Sequence, residues 1–291
     1  MKRLDINERD LWALRIFKEV AFAGGFSAAK KSLNMTTATI SRHIKDIEER
    51  IGVKLCTRGP QGFSLTHAGE AALSRIEDAL DAVGRIMPAI NETRDIISGN
   101  LNIGILDNII ENPDCHLTEA ITELTDIAPL VTIDLQTIAK SDVVRSLLDH
   151  RFHITICGAV EESASINYYH LFDEIQAIYC LSKNRGLHHL PLVHRNIDSA
   201  ADEITINNKY ERGPSASGLQ SVAFLISTGK FVGILPKHYA KQLSSRLRLH
   251  RVPDSPNYKI PFYAITNATR PLPPCAEHFI EILTKYHAHS L

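Results

Sequence analysis

The segment SAAKKSLNMTTATISRHIKDIEERI, residues 27–51, holds two helical patterns separated by a short polar turn. Small residues after Ser27, a good N-cap, favour a short helix that Asn34 closes in a left-handed conformation. Thr36 is placed to cap a second helix over 37–50. Two helices joined by so short a turn predict a helix-turn-helix.

The second helix of this pair has one apolar side and one polar side. Its isoleucines recur every three or four residues, so they face a core, and the polar residues must project away from it. A polar outward face is what a reader of the DNA major groove needs. We expect base contacts from Thr36, Thr37, Thr39, Arg42 and His43. We expect contacts with DNA phosphates from Ser27, Ser41, Arg42, Lys45 and Lys54.

Charge pairs on a helix usually belong to an ordinary solvated face, and that is the alternative interpretation of Arg42 and Lys45. The helix-turn-helix context favours the groove instead, because both residues lie opposite the buried stripe. Charge distribution along the chain agrees with this interpretation. The first 66 residues carry 12 Lys and Arg against 7 Asp and Glu, a net +5, and the rest carries −6, which gives −1 overall. Positive potential is therefore concentrated where phosphates would bind.

The segments on both sides complete a small domain. Before the pair, apolar residues spaced for one helix face end at Gly24 and Gly25. After it, two brief strand patterns, 53–55 and 63–65, flank a turn and predict a β-hairpin wing. Arg58 on this wing is a candidate for the DNA minor groove, and closing the hairpin is its alternative role.

A long helix follows, with Thr66 as its N-cap. Ala72, Ile76, Ala79, Val83, Ile86 and Ile90 alternate steps of four and three. This heptad seam predicts a dimer. Pro88 interrupts the seam, and the loss of its hydrogen bond to Gly84 should kink the helix there.

From Leu101 onward short apolar strands alternate with helical patterns, which is typical of an α/β sandwich with partly parallel sheets. The candidate strands are 101–106, 130–136, 152–157, 168–172, 175–181, 203–206, 231–235 and 262–266. The candidate helices are 114–127, 142–149, 217–228 and 275–286. At the start of the first helix, Asn112-Pro113-Asp114 is similar to an N-cap followed by Pro at the first helical position.

The chain as a whole is predicted to be a protein of the cytoplasm. No run approaches the roughly 20 consecutive apolar residues of a membrane span. Charged residues from Asp5 to Asp10 break any signal-peptide pattern. Five widely spaced cysteines without a CxxC pair fit reduced thiols rather than zinc or a redox dithiol. We expect no cofactor and no metal.

The first 70 residues resemble the DNA-binding domain of LysR-type transcriptional regulators. The matching residues are Leu14-x-x-Phe17-x-x-Val20-Ala21, Gly25-Phe26-Ser27-x-Ala29, Leu33-Asn34, Ile40-Ser41-Arg42-x-Ile44, Ile47-Glu48, Ile51-Gly52-x-x-Leu55, Arg58 and Leu65-Thr66-x-Ala68-Gly69-Glu70. Further on, Gly99-x-Leu101-x-Ile103-Gly104 and Thr228-Gly229-x-x-Val232-Gly233-Ile234-Leu235-Pro236 look like parts of the family's sensing domain. The resemblance therefore spans nearly the whole chain.

The resemblance implies a multidomain protein with three parts. Residues 1–66 would form an all-α winged helix-turn-helix with a small β wing, and 67–98 a linker dimerisation helix. Residues 99–291 would form a two-lobed α/β sensing domain like a periplasmic binding protein, with lobe I at about 99–162 and 267–291 and lobe II at about 163–266. The implied function is sequence-specific DNA binding that is modulated by a small-molecule effector, with dimers pairing into tetramers and RNA polymerase as a further partner.

Loops at strand ends would line the cleft between the lobes, the usual place for a small ligand. The candidate effector-binding residues are Asp107, Asn108, Asn207, Arg212 and Ser215. Capping of a strand end is the alternative role of Asp107 and Asn108.

Two other functions fit the sequence less well. An enzyme is disfavoured because the histidines lack partners at metal-ligand spacing and no GxSxG or GxxxxGKS motif is present. A solute-binding module would suit the C-terminal part, but it leaves the first 66 residues without a role.

Overall fold

The computed structural model describes residues 6–59, 62–107, 109–110, 112–158, 160, 163–181, 183, 190–195, 210–253 and 255–288, with backbone alone at 58–59. The chain divides into two compact units, Met1–Met87 and Pro88–Leu291. Among the described residues no helix is both long and apolar enough to cross a membrane.

The first unit is a small helical domain with one β-hairpin. Its helices are α1 (Glu8–Phe22), α2 (Lys30–Leu33), α3 (Thr37–Ile51) and the long α4 (His67–Gly84), and β1 (Cys56–Gly59) pairs antiparallel with β2 (Gly62–Leu65). The isoleucine stripe of α3 is buried, and its core partners from α1 are Ile16, Phe17 and Val20. The helix-turn-helix and the wing predicted from sequence are thus both present. The first wing strand is misplaced in the prediction, because residues 53–55 form no strand and β1 begins at Cys56.

Helix caps set the boundaries of these elements. Thr36 accepts a hydrogen bond from the Thr39 amide, Thr66 accepts one from the Gly69 amide, and Asn34 is left-handed with φ 48°, all as predicted. The predicted N-cap at Ser27 is wrong. Residues 24–29 form turns, with Ala29 as the N-cap of α2, because two left-handed glycines lead the chain inward to bury Phe26 and Ala29.

The long helix ends before Pro88. α4 stops at Gly84, and α5 (Ile86–Glu92) begins after Arg85, so the interruption lies where the proline removes a hydrogen bond. The predicted seam also divides in two. Ile76 is buried in the core of the first unit, whereas Val83, Ile86 and Ile90 are exposed.

The second unit is an α/β structure. Its strands are β3 (Ser98–Ile105), β4 (Leu130–Thr137), β5 (Ile154–Gly158), β6 (Ile166–Leu181), β7 (Leu192–Arg195), β8 (Arg212–Ala216), β9 (Gly233–Pro236), β10 (Leu249–Arg251) and β11 (Tyr258–Asn267). Its remaining helices are α6 (Leu117–Ile127), α7 (Val143–Leu148), α8 (Gly218–Ser227), α9 (Lys237–Leu247) and α10 (Pro274–Ala288).

Two lobes share the long strands β6 and β11. In lobe I, β3 pairs in parallel with β4 and β5, while β11 runs antiparallel between β5 and the first half of β6. In lobe II, the second half of β6 pairs with β9 and β10, and β7 pairs in parallel with β8. The lobes have separate hydrophobic cores, one around Phe279 of α10 and the other around Ile226 of α8.

Sequence periodicity found most but not all of these elements. Strands 168–172 and 175–181 are one continuous strand, β6, and the sequence analysis missed β7, β8, β10 and α9. The predicted strand 203–206 lies outside the described residues. The predicted helix start at Asn112 is also wrong. Asn112 accepts a hydrogen bond from the Asp114 amide in a turn, and α6 begins at Leu117 after the left-handed His116.

Candidate functional site

The outward side of α3 is a polar surface of the helix-turn-helix. Arg42 and Lys45 are exposed, and Thr37, Ser41 and His43 are half-buried, while Ile40 and Ile44 lie in the core beneath them. The amphipathic sequence of α3 therefore places its polar groups along one surface strip. A strip of this kind can enter a DNA major groove.

Thr36 and Thr39, two of the residues predicted to contact bases, form hydrogen bonds with each other at the start of α3. Thr36 Oγ1 accepts from the Thr39 amide at 3.1 Å, and the two threonine hydroxyls lie 2.8 Å apart. This pair satisfies the helix end, since the first amides of a helix have no partner within it. Thr37, Arg42 and His43 are therefore the stronger candidates for base contacts.

Arg42 and Lys45, the two cations on the polar strip of α3, make only weak internal ion pairs. Arg42 Nε lies 3.9 Å from Asp46, Lys45 Nζ lies 3.4 Å from Glu49, and all four side chains are more than half exposed. Exposed pairs of this kind contribute at most about 1 kcal/mol. Both cations can therefore turn toward a phosphate at little cost.

Lys54 has a closer internal partner than the sequence suggested. Its Nζ lies 2.7 Å from Oε2 of Glu48, and the amides of Leu55 and Cys56 donate to the other Glu48 oxygen at 2.8 and 3.2 Å. Burial acts to raise the pKa of Glu48, but the hydrogen bonds from Lys54, Leu55 and Cys56 outweigh it and hold this pKa below its usual value. The carboxylate thus joins the end of α3 to the first strand of the wing.

Sequence reasoning missed the role of Glu48, although a signal was present. Glu48 follows Ile44 by four residues, so it lies on the buried side of α3, where a charged residue needs partners.

Gly69 of α4 packs closely against the backbone of Leu55, next to the first strand of the wing. A Cβ at Gly69 would lie 1.9 Å from the carbonyl oxygen of Leu55, so the absence of a side chain lets α4 pack directly on this backbone.

The remaining predicted DNA contacts, Ser27 and Arg58, belong to segments other than α3. Ser27 is exposed in the turn before α2. Arg58 is on β1 opposite Phe63 of β2, and its side chain lies outside the described atoms. Across the hairpin, the hydroxyls of Thr57 and Ser64 are 2.7 Å apart.

The structure describes three of the five predicted effector contacts. Asp107 is exposed just after β3, and Arg212 and Ser215 are exposed on β8. The backbone of Ser215 pairs with that of His194 on β7. Asn108 and Asn207 lie outside the described residues.

A cavity of about 680 Å³ lies at the junction of the lobes, and other residues line it. They come from the loop before α6 in lobe I, from the middle of β6 and from the first turns of α9 in lobe II. We call it the junction cavity; its lining is Asn112, Pro113, Asp114, Asp173, Glu174, Ile175, Lys237, His238, Lys241 and Gln242. The sequence analysis missed its α9 wall, although Tyr239, Ala240, Leu243 and Leu247 have helical spacing.

The two carboxylates of β6 in this cavity have different partners. Asp173 lies 2.7 Å from Lys259 and 3.3 Å from His170, and these hydrogen bonds lower its pKa, Lys259 most. Glu174 is buried, and the side-chain amide of Gln176 donates to it at 2.6 Å. His238 lies 3.9 Å from its other oxygen.

The cysteines are buried rather than activated as nucleophiles. The five cysteines are buried, and burial raises the pKa of Cys115 and Cys275 to about 11 and that of Cys157 to about 12. Nucleophilic cysteines need the opposite shift. In the described part of the chain no cluster of three or more His, Cys, Asp or Glu could hold a metal ion.

Comparison with known families gives two matches. A model described as a bacterial regulatory helix-turn-helix protein of the lysR family matches residues 11–70, and one described as a LysR substrate binding domain matches residues 95–288. Among individual proteins, the HTH-type transcriptional activator BauR of Pseudomonas aeruginosa is 29% identical over 294 residues, 95% of each chain.

Solved structures show the same fold. Full-length CbnR in complex with its target DNA superposes with a TM-score of 0.61 at 20% identity and covers 95% of this chain and 99% of its own. A full-length OxyR variant from Pseudomonas aeruginosa gives a TM-score of 0.67 at 17% identity, covering 98% and 95%. Both predicted architectures, the winged helix-turn-helix and the two-lobed α/β domain, are confirmed.

Proposed function

Because the chain belongs to the LysR family of bacterial transcriptional regulators, we propose that it recognises a duplex DNA site with α3 and the β1–β2 wing. A small molecule bound between the lobes of the second unit would control this activity. The observation that carries the DNA-binding part is the polar strip of α3, which lies opposite a buried isoleucine stripe in a segment of net charge +5.

Some of the predicted contact residues would supply affinity for DNA, and others would supply sequence specificity. Ser27, Ser41, Lys45 and Lys54 would hold phosphates, which supply most of the affinity for duplex DNA. Thr37, Arg42 and His43 would read base edges, with Thr36 and Thr39 fixing the end of the helix. Arg58 would enter the flanking minor groove.

Self-association is supported by the exposed apolar side chains of α4 and α5. Val83, Ile86 and Met87 are each more than half exposed, although large apolar residues gain about 1.5–3 kcal/mol on full burial. A second copy of the chain would cover them, giving a dimer, and two dimers would pair into a tetramer. RNA polymerase would then contact the DNA-bound assembly. Because the proposed target is bacterial DNA, the protein would work in the cytoplasm.

Effector control follows from unequal binding to two arrangements of the lobes. A ligand changes DNA binding only if it prefers one arrangement, by as much as its affinities for the two differ. The related BauR is named an activator, and we propose activation as the direction of control in this chain too.

The test is salt-dependent binding of the full chain to the promoter regions next to its own gene, measured by fluorescence anisotropy. Affinity should fall steeply as salt rises, because phosphate contacts release counterions. Arg42→Ala should weaken specific binding by about 1–3 kcal/mol. Failure to bind any of these regions in a salt-sensitive way would refute the proposal.

Arg75→Ala is the matched control for this substitution. Arg75 and Arg42 are both 84% exposed and both pair with an aspartate one helical turn away, but Arg75 is on α4. Its replacement should leave DNA affinity within about twofold of the unmodified chain, a difference of about 0.4 kcal/mol. Equal losses in the two variants would refute the role assigned to α3.

A further inference from the structure

The junction cavity has walls of opposite charge. Asp114, from the loop before α6, and Glu174, on β6, supply carboxylates on one side. Lys237 and Lys241 supply ammonium groups from α9, where positions four residues apart share one face of the helix. Lobe I and the crossing strand thus give the anionic wall, and lobe II gives the cationic wall, whose His238 lies 3.9 Å from Glu174.

The anionic wall is held in place before any ligand arrives. Gln176 donates to Glu174 at 2.6 Å, and Arg195 in turn donates to the Gln176 oxygen at 3.1 Å. Glu174 is buried, so a cation that reaches it interacts through a medium less polar than water, and the attraction is correspondingly stronger. Asp173 contributes less, because Lys259 lies 2.7 Å away and neutralises it.

We propose that the effector is a zwitterion, a small molecule with a cationic amine at one end and a carboxylate at the other. This inference rests on the proposed function of the second unit as the sensing domain. The amine lies against Glu174 and Asp114, and the carboxylate lies against Lys237 and Lys241. Such a ligand contacts both lobes at once and so favours the arrangement in which the two walls are close.

A molecule with a single charge satisfies only one wall. An alkylamine provides no anion for the two lysines, which lie side by side on one face of α9. A simple carboxylate is repelled by Glu174 and Asp114. Each hydrogen bond to a charged group raises affinity by about tenfold or more. The zwitterion should therefore bind at least about tenfold more tightly than either half.

The experiment titrates the full chain, by calorimetry and thermal shift, with ω-amino acids of two to six carbons. The n-alkylamines and the unbranched carboxylates of the same lengths serve as single-charge controls. We expect saturable binding of at least one amino acid and a tenfold or greater preference for it over both controls of its length. Absence of binding by the whole series at millimolar concentration, or equal binding of a single-charge control, would overturn the proposal.

Paired variants locate the site. Lys237→Gln with Lys241→Gln should weaken amino acid binding at least tenfold without weakening alkylamine binding, whereas Lys230→Gln, at an exposed lysine of lobe II outside the lining, should have no effect. On the other wall, Asp114→Asn should weaken the amino acid while the exposed Asp126→Asn should not. Asp114 is exposed, so Asp114→Asn should not disturb folding. If the lining variants behave like their controls, the assignment to this cavity is wrong.

DNA binding without ligand separates this inference from the proposed function. If the full chain binds promoter DNA with the expected salt dependence but no ω-amino acid binds, the zwitterion proposal alone fails. If DNA binding is absent as well, the proposed function fails with it.

Discussion

Glu48 connects the DNA-reading helix to the wing, and its substitution should destabilise the first unit in a graded way. In Glu48→Ala, the amides of Leu55 and Cys56 lose the acceptor that now lies 2.8 and 3.2 Å away. Each buried donor without an acceptor costs about 1–3 kcal/mol, so we expect a loss of about 2–5 kcal/mol of unfolding free energy. Glu48→Gln keeps an acceptor oxygen but loses its charge, and it should cost about 1–2 kcal/mol.

The single tryptophan of the chain makes this measurement specific. Trp12 is on α1, in the same unit as Glu48, so its fluorescence during urea titration follows the unfolding of that unit. Glu49→Gln is the control, because Glu49 is exposed and its ion pair is with the equally exposed Lys45, at 3.4 Å. It should change the unfolding free energy by at most about 0.5 kcal/mol. The reasoning is refuted if Glu48→Ala unfolds like the unmodified chain or if Glu49→Gln costs as much as Glu48→Gln.

Acid should remove the same stabilisation. The pKa of Glu48 in the folded chain is lower than its ordinary value of 4.5, so the carboxylate stabilises the folded state fully above that pH. Stability is then lost as the pH falls through the lower pKa of the folded form. Glu48→Gln should therefore flatten the acid dependence of the Trp12 transition below about pH 4.5, and an unchanged dependence would contradict the assignment.

The packing of α4 on the wing predicts that Gly69→Ala costs about 1–3 kcal/mol, because the new Cβ would lie 1.9 Å from the Leu55 carbonyl oxygen. Gly84→Ala, with nothing within 4 Å, should be neutral or stabilise by up to about 1 kcal/mol, and the same urea titration checks both. Ile86→Glu should shift the protein toward monomer in sedimentation equilibrium, since it puts a charge on the proposed dimer surface, and an unchanged mass distribution would contradict that surface. Burial raises the pKa of Cys157 to about 12, and all five thiols are buried, so an aromatic disulfide reagent at pH 8 should modify the folded chain slowly and the unfolded chain at once.

Local signals in the sequence predict the first unit well. The turn around Asn34, the cap at Thr36 and the isoleucine spacing of α3 each involve residues within a few positions of one another. The break near Pro88 is equally local, because the proline ring acts on a hydrogen bond four residues back. Ser27 shows the limit of such signals, since the burial of Phe26 and Ala29 overrides its preference for a helix end.

The DNA contacts are predictable as a class but not one by one. Helical periodicity places Arg42, Lys45 and His43 on the outer side of α3 without any structure. It gives no information on Lys54, which lies beyond the helix, and there the fold brings its ammonium group to Glu48. In the sequence, Glu48 resembles an ordinary surface charge, and only its spacing from Ile44 indicates that it lies on the buried side of α3.

The family, the helix-turn-helix and the α/β character of the second unit can be predicted from the amino-acid sequence, because repeated spacing and turn residues act over short stretches of chain. The junction cavity depends on long-range packing instead. Its walls come from segments around residues 114, 174 and 237, far apart in sequence, and β6 brings them together by crossing from one lobe to the other. No local pattern records such a meeting, since the pairing of β6 with β9, β10 and β11 joins segments that lie far apart along the chain.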